Sequence, residues 1–455
     1  NIMKVKQLSI ILALSLVSVA QAWSEFERGS RMDWWREARF GMFVHWGLYS
    51  GLAGTWEGEP APRDKNLEHI QRVVDVDTYT YAAEAIPKFR PTEDFATAWA
   101  KLAKQAGCKY VVFTTKHHEG FALHDSKLTQ YDAGDIVGRD LVSEITEALR
   151  QEGLKVGFYH SVIDWHHPQY DYTQAKYPPY PKDNIPMTMG PREHSVYVDY
   201  LHGQVNELLS NYGKVDILWW DYSSFGFDGD KAWRASELIA MCREKQPNVI
   251  MNNRLFRRPE AGFSYDGGAD LSKPLDPRFG DFGTPEQHIP EGFDPKMDWE
   301  TCMTMNDTWG YSEHDHDWKS SEVIIRQLID VVSRGGNYLL NIGPKGDGTI
   351  PEPSLKIMTD VGKWMEVNGE AIYGTTQSPI GEPDFDGRIT TKGDIYYLHL
   401  FSRPDSGTIQ VPFPANKATL LEGSQPLEIE PGKSETSIRL PDALPDAVAT
   451  VIRLE

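Results

Sequence analysis

Val215-Asp216-Ile217-Leu218-Trp219-Trp220-Asp221-Tyr222 is a short apolar run that stops at a carboxylate. A run of this length, bounded by polar residues, fits a strand buried on both faces, although periodicity alone also accommodates a helix segment. As a strand it would deliver Asp221 to the rim of a sheet, between Trp220 and Tyr222. A lone strand-end Asp can also do no more than cap the helix that follows. The neighbouring runs decide between these readings.

Working outward, apolar runs alternate with helix-like stretches from Arg39 to about Tyr373, the rhythm of βα units around a parallel sheet. Phe40 to Val44 ends in His45-Trp46-Gly47, and Tyr110 to Thr115 ends in Lys116-His117-His118-Glu119-Gly120. Val156 to Tyr159 ends in His160, Val249 to Met251 in Asn252-Asn253-Arg254, and Tyr338 to Leu340 in Asn341-Ile342-Gly343-Pro344. Polar groups therefore collect at one end of many strands, where a (β/α)8 barrel holds its active site. An open doubly wound sheet also binds ligands there, yet no G-x-G-x-x-G turn opens a helix after an early strand. The pattern predicts an α/β chain with a (β/α)8-like TIM barrel over 23–372. After Tyr373 helical periodicity fades, and short alternating segments broken by Pro, Gly and Asn predict a small antiparallel β-sandwich over 373–455.

The 455 residues carry 46 Lys+Arg against 66 Asp+Glu, a formal charge of −20. A field of that sign repels polyanions and argues against nucleic acid as a partner. Lys4 and Lys6, the apolar run from Leu8 to Val19 and then Ala20-Gln21-Ala22 have the three regions of a secretory signal peptide. Residues 1–22 are read as that leader, which predicts a secreted or periplasmic mature chain starting near Trp23. No segment reaches the roughly 18 apolar residues of a spanning helix, so no membrane insertion is expected. Cys108, Cys242 and Cys302 are widely spaced and odd in number, which implies no disulfide framework.

If Asp221 performs acid/base or covalent chemistry, a second carboxylate is needed. Gly280-Asp281-Phe282-Gly283-Thr284-Pro285-Glu286-Gln287 offers two on a Gly- and Pro-punctuated loop, and Trp299-Glu300 offers a third. An ordinary solvated loop acid is the competing reading. His45, His117, His118 and His160 stand at strand ends and admit a metal reading, since zinc takes three or four such ligands. Against it, adjacent His117 and His118 on a strand would point to opposite faces unless the chain turns there. No metal and no other cofactor is expected. Imidazoles, an arginine, acids and tryptophans around one mouth instead make a receptor for a polyhydroxyl ligand.

Five segments carry a family resemblance: Arg39-Phe40-Gly41-Met42-Phe43-Val44-His45-Trp46-Gly47, Lys116-His117-His118-Glu119-Gly120-Phe121, Leu218-Trp219-Trp220-Asp221, Trp309-Gly310-Tyr311, and Gly335 through Pro344. In this order they resemble the family 29 glycoside hydrolases, the α-L-fucosidases. The resemblance implies a barrel followed by a sandwich, and retaining, exo-acting hydrolysis of terminal α-L-fucosides of an oligosaccharide or glycan, without a cofactor. It puts the nucleophile at Asp221 and the acid/base at Glu286, with Glu300 as second choice. His45, Glu68, His117, His118, His160 and Arg254 fall among the substrate-binding residues, and Trp309 against the C6 methyl. Departures are His69, where many relatives carry Trp, and His124 and His160, where they carry Trp and Tyr. The altered wall at His69 keeps an α-L-galactosidase on the same scaffold as the nearest alternative, followed by a catalytically silent carbohydrate-binding protein.

Overall fold

The computed structural model describes residues 29–62, 66–171, 192–224, 226–263 and 269–455, and the expected leader lies outside the described residues. Seven parallel strands form the main sheet: β1 (Phe40–Val44), β2 (Tyr110–Lys116), β3 (Lys155–Ser161), β4 (Ile217–Asp221), β5 (Ile250–Met251), β6 (Glu300–Thr304) and β7 (Asn337–Ile342). Their order is β5-β4-β3-β2-β1-β7-β6, so the sheet curls with sequential strands side by side.

The edges β5 and β6 are joined by the segment 281–287. Asp281 N donates to Met251 O (2.7 Å) on one side, while Glu300 N donates to Gly283 O (2.9 Å) and Gln287 N to Cys302 O (3.0 Å) on the other. Parallel bridges pair Asn252 with Phe282 and Glu286 with Cys302. Pro285 has no N–H to give, so the ladder here is broken rather than continuous. This corrects the reading of 280–287 as a free loop: it is an irregular stave that completes the barrel wall and carries Glu286.

Within β4 the period of two sorts the side chains. Ile217 and Trp219 join Phe43, Val112, Tyr159 and Leu339 in the barrel lumen, whereas Leu218 and Trp220 pack outward against the helical layer. A helix over 29–38 sends Met32, Trp35 and Ala38 into the lumen cluster from the N-terminal side, where Trp35 O accepts from Asn337 Nδ2 (2.8 Å).

Among the described residues the outer helices include α1 (Phe95–Gln105), α2 (Leu141–Gln151), α3 (His194–Asn211), α4 (Ala235–Lys245), α5 (Ser321–Ser333) and α6 (Glu352–Asn368). The α2 segment shows why such stretches become helices: Asp140 caps Ser143 N, and Leu141, Ile145, Ala148 and Leu149 make one buried face. Among the described residues no helix is long and apolar enough to cross a membrane.

The C-terminal region holds a five-stranded antiparallel sheet, which includes Gly387–Lys392, Ile395–Leu400 and Thr450–Leu454, and a three-stranded one built from Thr408–Val411, Thr436–Arg439 and Ile429–Pro431. Ile389, Leu398 and Ile452 of the first sheet share an apolar core with Ile409 and Ile438 of the second, as in a sandwich. It docks on α5 and α6, where Arg326 donates to Val448 O (3.0 Å) and Trp364 Nε1 to Ala449 O (3.0 Å).

Candidate active site

At the C-terminal mouth of the barrel lies a cavity of about 410 Å³, the size of a small-ligand site. Asp221, the last residue of β4 and two beyond inward-facing Trp219, reaches it. Tyr159 OH donates to Asp221 Oδ2 (2.7 Å), and Arg254 Nη1 donates to Oδ1 (3.0 Å). The same guanidinium donates through Nη2 to Glu286 Oε2 (2.8 Å) and through Nε to Thr284 Oγ1 (2.8 Å). It lies 4.5 Å from the ring centroid of Trp219. One planar fork thus holds both carboxylates and rests on an indole face.

The electrostatics follow from these contacts. Burial alone would raise the Asp221 pKa, but the charge of Arg254, the nearby His118 and the hydrogen bonds from Tyr159 and Arg254 outweigh it, so the carboxyl is held below its ordinary 3.8. Burial acts the other way on the imidazoles, pushing His45 and His118 down to about 4. Both are neutral at neutral pH.

Their tautomers are readable from their partners. Asn341 Nδ2 donates to Trp309 O (2.8 Å), so its Oδ1 accepts from His45 Nδ1 (2.8 Å) and leaves His45 Nε2 as an acceptor. Ser161 Oγ donates to Ile163 O (2.9 Å) and accepts from His118 Nδ1 (2.6 Å), which frees His118 Nε2 in the same way. His117 stacks on Tyr159, with ring centroids 5.4 Å apart. Glu68, from the short helix Leu67–His69, accepts from Gly310 N (3.4 Å) beside Trp309. Acceptors, donors and aromatic faces are thus arranged for hydroxyls around two carboxylates.

The profile of the family described as alpha-L-fucosidase matches residues 14–370, most of the chain. The chain belongs to the α-L-fucosidase family. It is 29% identical over 456 residues to tissue α-L-fucosidase of Homo sapiens, covering 94% of this chain and 88% of that protein. Among solved structures it resembles α-L-fucosidase isoenzyme 1 from Paenibacillus thiaminolyticus, with 39% identity, 94% and 99% of the two chains covered and a TM-score of 0.83. It also resembles an α-L-fucosidase of glycoside hydrolase family 29 from Bacteroides thetaiotaomicron, solved as a trapped covalent intermediate with 2-fluoro-fucosyl fluoride (30% identity, 94% and 96% covered, TM-score 0.78). The chain is a glycoside hydrolase of that family.

In this fucosidase fold His45, Glu68, His117, His118, Asp221, Arg254, Glu286 and Trp309 all line the cavity. Three candidate residues stand elsewhere. His160 alternates with inward-facing Tyr159 and Ser161, so it points into the outer layer and bonds Thr115 Oγ1 through Nδ1 (2.9 Å); the expectation for it was one residue out of register. Glu300 begins β6 beneath the cavity, where it accepts from Tyr110 OH and from Trp219 Nε1 (3.2 Å). It is fully buried and cannot reach a leaving group at the mouth. Asp281 is also fully buried and accepts from Arg31, Arg243 and Met251 N, so it fixes the stave rather than the ligand.

At His117 and His118 the chain turns, the one condition under which adjacent residues share a face. A register irregularity between Thr114 and Lys116, followed by the end of β2, turns both rings to the cavity with centroids 4.2 Å apart. Ligand atoms of His117, His118 and Asp221 lie within 4.8 Å of one another, a set that suits a divalent cation in type. Both Asp221 oxygens are already engaged by Arg254 and Tyr159. Sequence reasoning missed Tyr159, although counting by two from Ser161 would have found it. It also missed Tyr222, Ser223 and Arg257 of the cavity wall, which sit on irregular chain with no period to read.

Proposed function

We propose that this α-L-fucosidase is a retaining, exo-acting enzyme with Asp221 as nucleophile and Glu286 as acid/base. The observation that carries the reading is the Arg254 fork, which holds the two carboxyls on its adjacent terminal nitrogens. Retention needs them about 5–5.5 Å apart, so that one attacks directly and no water fits between. The Asp221 carboxylate attacks the anomeric carbon as the glycosidic C–O bond breaks, and Glu286 gives its proton to the departing oxygen. Water then attacks the same carbon, Glu286 takes its proton, and the Asp221 ester bond breaks. Arg254 and Tyr159 hold Asp221 ionised before attack and stabilise it as it leaves. His45 and His118 accept from sugar hydroxyls through their free nitrogens. The trapped intermediate of the Bacteroides thetaiotaomicron relative supports the covalent route.

Azide rescue tests both roles. Asp221→Gly abolishes turnover of 4-nitrophenyl α-L-fucoside, and added azide yields β-L-fucosyl azide; Glu286→Ala costs about 10²–10⁴-fold, and azide yields the α anomer. An α product from the Asp221 variant would overturn the assignment. The leader over 1–22 supports export to the periplasm or medium. N-terminal sequencing of the exported chain should begin near Trp23, and an uncleaved chain would refute this.

A further inference from the structure

Glu300 is a buried acid that the chemistry above does not use. It pairs in register with Asn337 low in the lumen, is fully shielded from solvent, and accepts from Tyr110 OH and from Trp219 Nε1 (3.2 Å). Burial pushes its carboxyl up to about 7 against the hydrogen bonds of Tyr110 and Trp219. An acid placed so expensively among Phe43, Tyr110 and Trp219 calls for a reason beyond filling space.

Trp219 supplies it. Its ring lies under the Arg254 guanidinium at 4.5 Å, stacks on Tyr159 at 5.7 Å between centroids with planes 18° apart, and meets Phe43 at 5.0 Å. Arg254 and Tyr159 are the groups that donate to the two oxygens of Asp221, and Arg254 also holds Glu286. An indole has one polar handle, its N–H, and here Glu300 accepts it. Without that bond only packing against its ring neighbours holds the tilt of the indole.

We propose that Glu300 is a positioning residue of the reaction: by accepting the Trp219 N–H it sets the plane on which Arg254 and Tyr159 rest, and through them the placement of Asp221 and Glu286. The proposal rests on the roles given to Asp221 and Glu286 above. Its signature is a loss in kcat with little change in KM, because the hydroxyl-binding imidazoles are held by Asn341 and Ser161 instead.

The test compares Glu300→Leu, Glu300→Gln, Trp219→Phe and the Leu/Phe double variant, with folding followed by circular dichroism. Leu removes the acceptor, and Phe keeps an aromatic ring but removes the donor. Each should lower kcat about tenfold or more, as a small misplacement of reacting groups does, while KM stays within about twofold. Gln keeps an acceptor oxygen and should retain most of the kcat that Leu loses. The double variant should be no worse than either single change, since both cut one bond. A folded Trp219→Phe enzyme with wild-type kcat, or multiplicative losses in the double variant, would overturn the proposal, and Trp219→Phe answers even if the Leu variant fails to fold. The azide products of Asp221→Gly and Glu286→Ala are unaffected by these outcomes, so failure of the nucleophile assignment would show separately.

Discussion

Arg254 binds Asp221 through one terminal nitrogen and Glu286 through the other, so a change at this residue reports on both carboxylates. Arg254→Lys keeps the charge but replaces a planar fork by a single point donor. We expect kcat/KM to fall by about 10²–10³-fold, the loss typical of one preorganised donor. Because burial raises the Asp221 pKa and the charge of Arg254 is the largest opposing cause, Arg254→Met, which removes that charge, should move the acid limb of the kcat/KM profile to higher pH. A profile with an unmoved acid limb would show that Asp221 does not carry it. Asp221 was legible in the sequence because a strand that ends on an acid is visible as a pattern. His160 was misplaced for the same physical reason: with a period of two, a slip of one residue exchanges the lumen for the outer layer. At the His117–His118–Asp221 cluster, Arg254 and Tyr159 already serve the carboxylate, so hydrolysis should persist undiminished in excess EDTA. Loss of activity with EDTA and its return with zinc would instead assign a cation to this cluster.

At the scale of elements, the 281–287 stave determines where Glu286 stands, yet its sequence reads as a loop. Gly280, Gly283 and Pro285 erase the alternation that marks a strand, and what remains of the ladder is isolated bridges to β5 and β6. Gly280 itself sits at φ 149°, and a Cβ there would lie 2.6 Å from Asn252 O and 3.0 Å from Asn253 Cα. Those atoms are backbone and immediately precede Arg254. Gly280→Ala should therefore destabilise the fold by about 1–3 kcal/mol and lower kcat more than a change of that size elsewhere in the wall, since it displaces the Arg254 strand end. Thermal melts and kinetics of Gly280→Ala beside Gly292→Ala check this, since a Cβ at Gly292 meets nothing within 4 Å; equal kinetic losses would sink the idea. The barrel helices, by contrast, were legible because their 3.6 period and caps are local. The 29–38 plug was not, because its meaning lies in the lumen it enters.

The whole molecule keeps many histidines neutral by burying them. From the ordinary value of 6.5, burial lowers His45 and His118 to about 4 and His399 to about 3, and takes His69, His117 and His160 well below. As pH falls below about 6.5 the unfolded chain takes up protons on these side chains while the folded chain does not, so each one subtracts stability until its own folded pKa is reached. Glu119 and Glu300 oppose this. Burial raises both to about 7 from 4.5, so the folded chain holds protons that the unfolded chain loses, and their contribution is present in acid and fades as pH rises through that range. Each group sets a slope of ~1.4 kcal/mol per pH unit where it differs between states, and six imidazoles outweigh two carboxyls between about pH 4.5 and 6.5. The melting temperature should thus fall steadily from pH 7 to pH 5. Calorimetry at several pH values decides it: a constant or rising Tm over that interval would mean that the imidazoles are protonated in the folded enzyme, and the hydroxyl-accepting nitrogens assigned to His45 and His118 would then be donors instead.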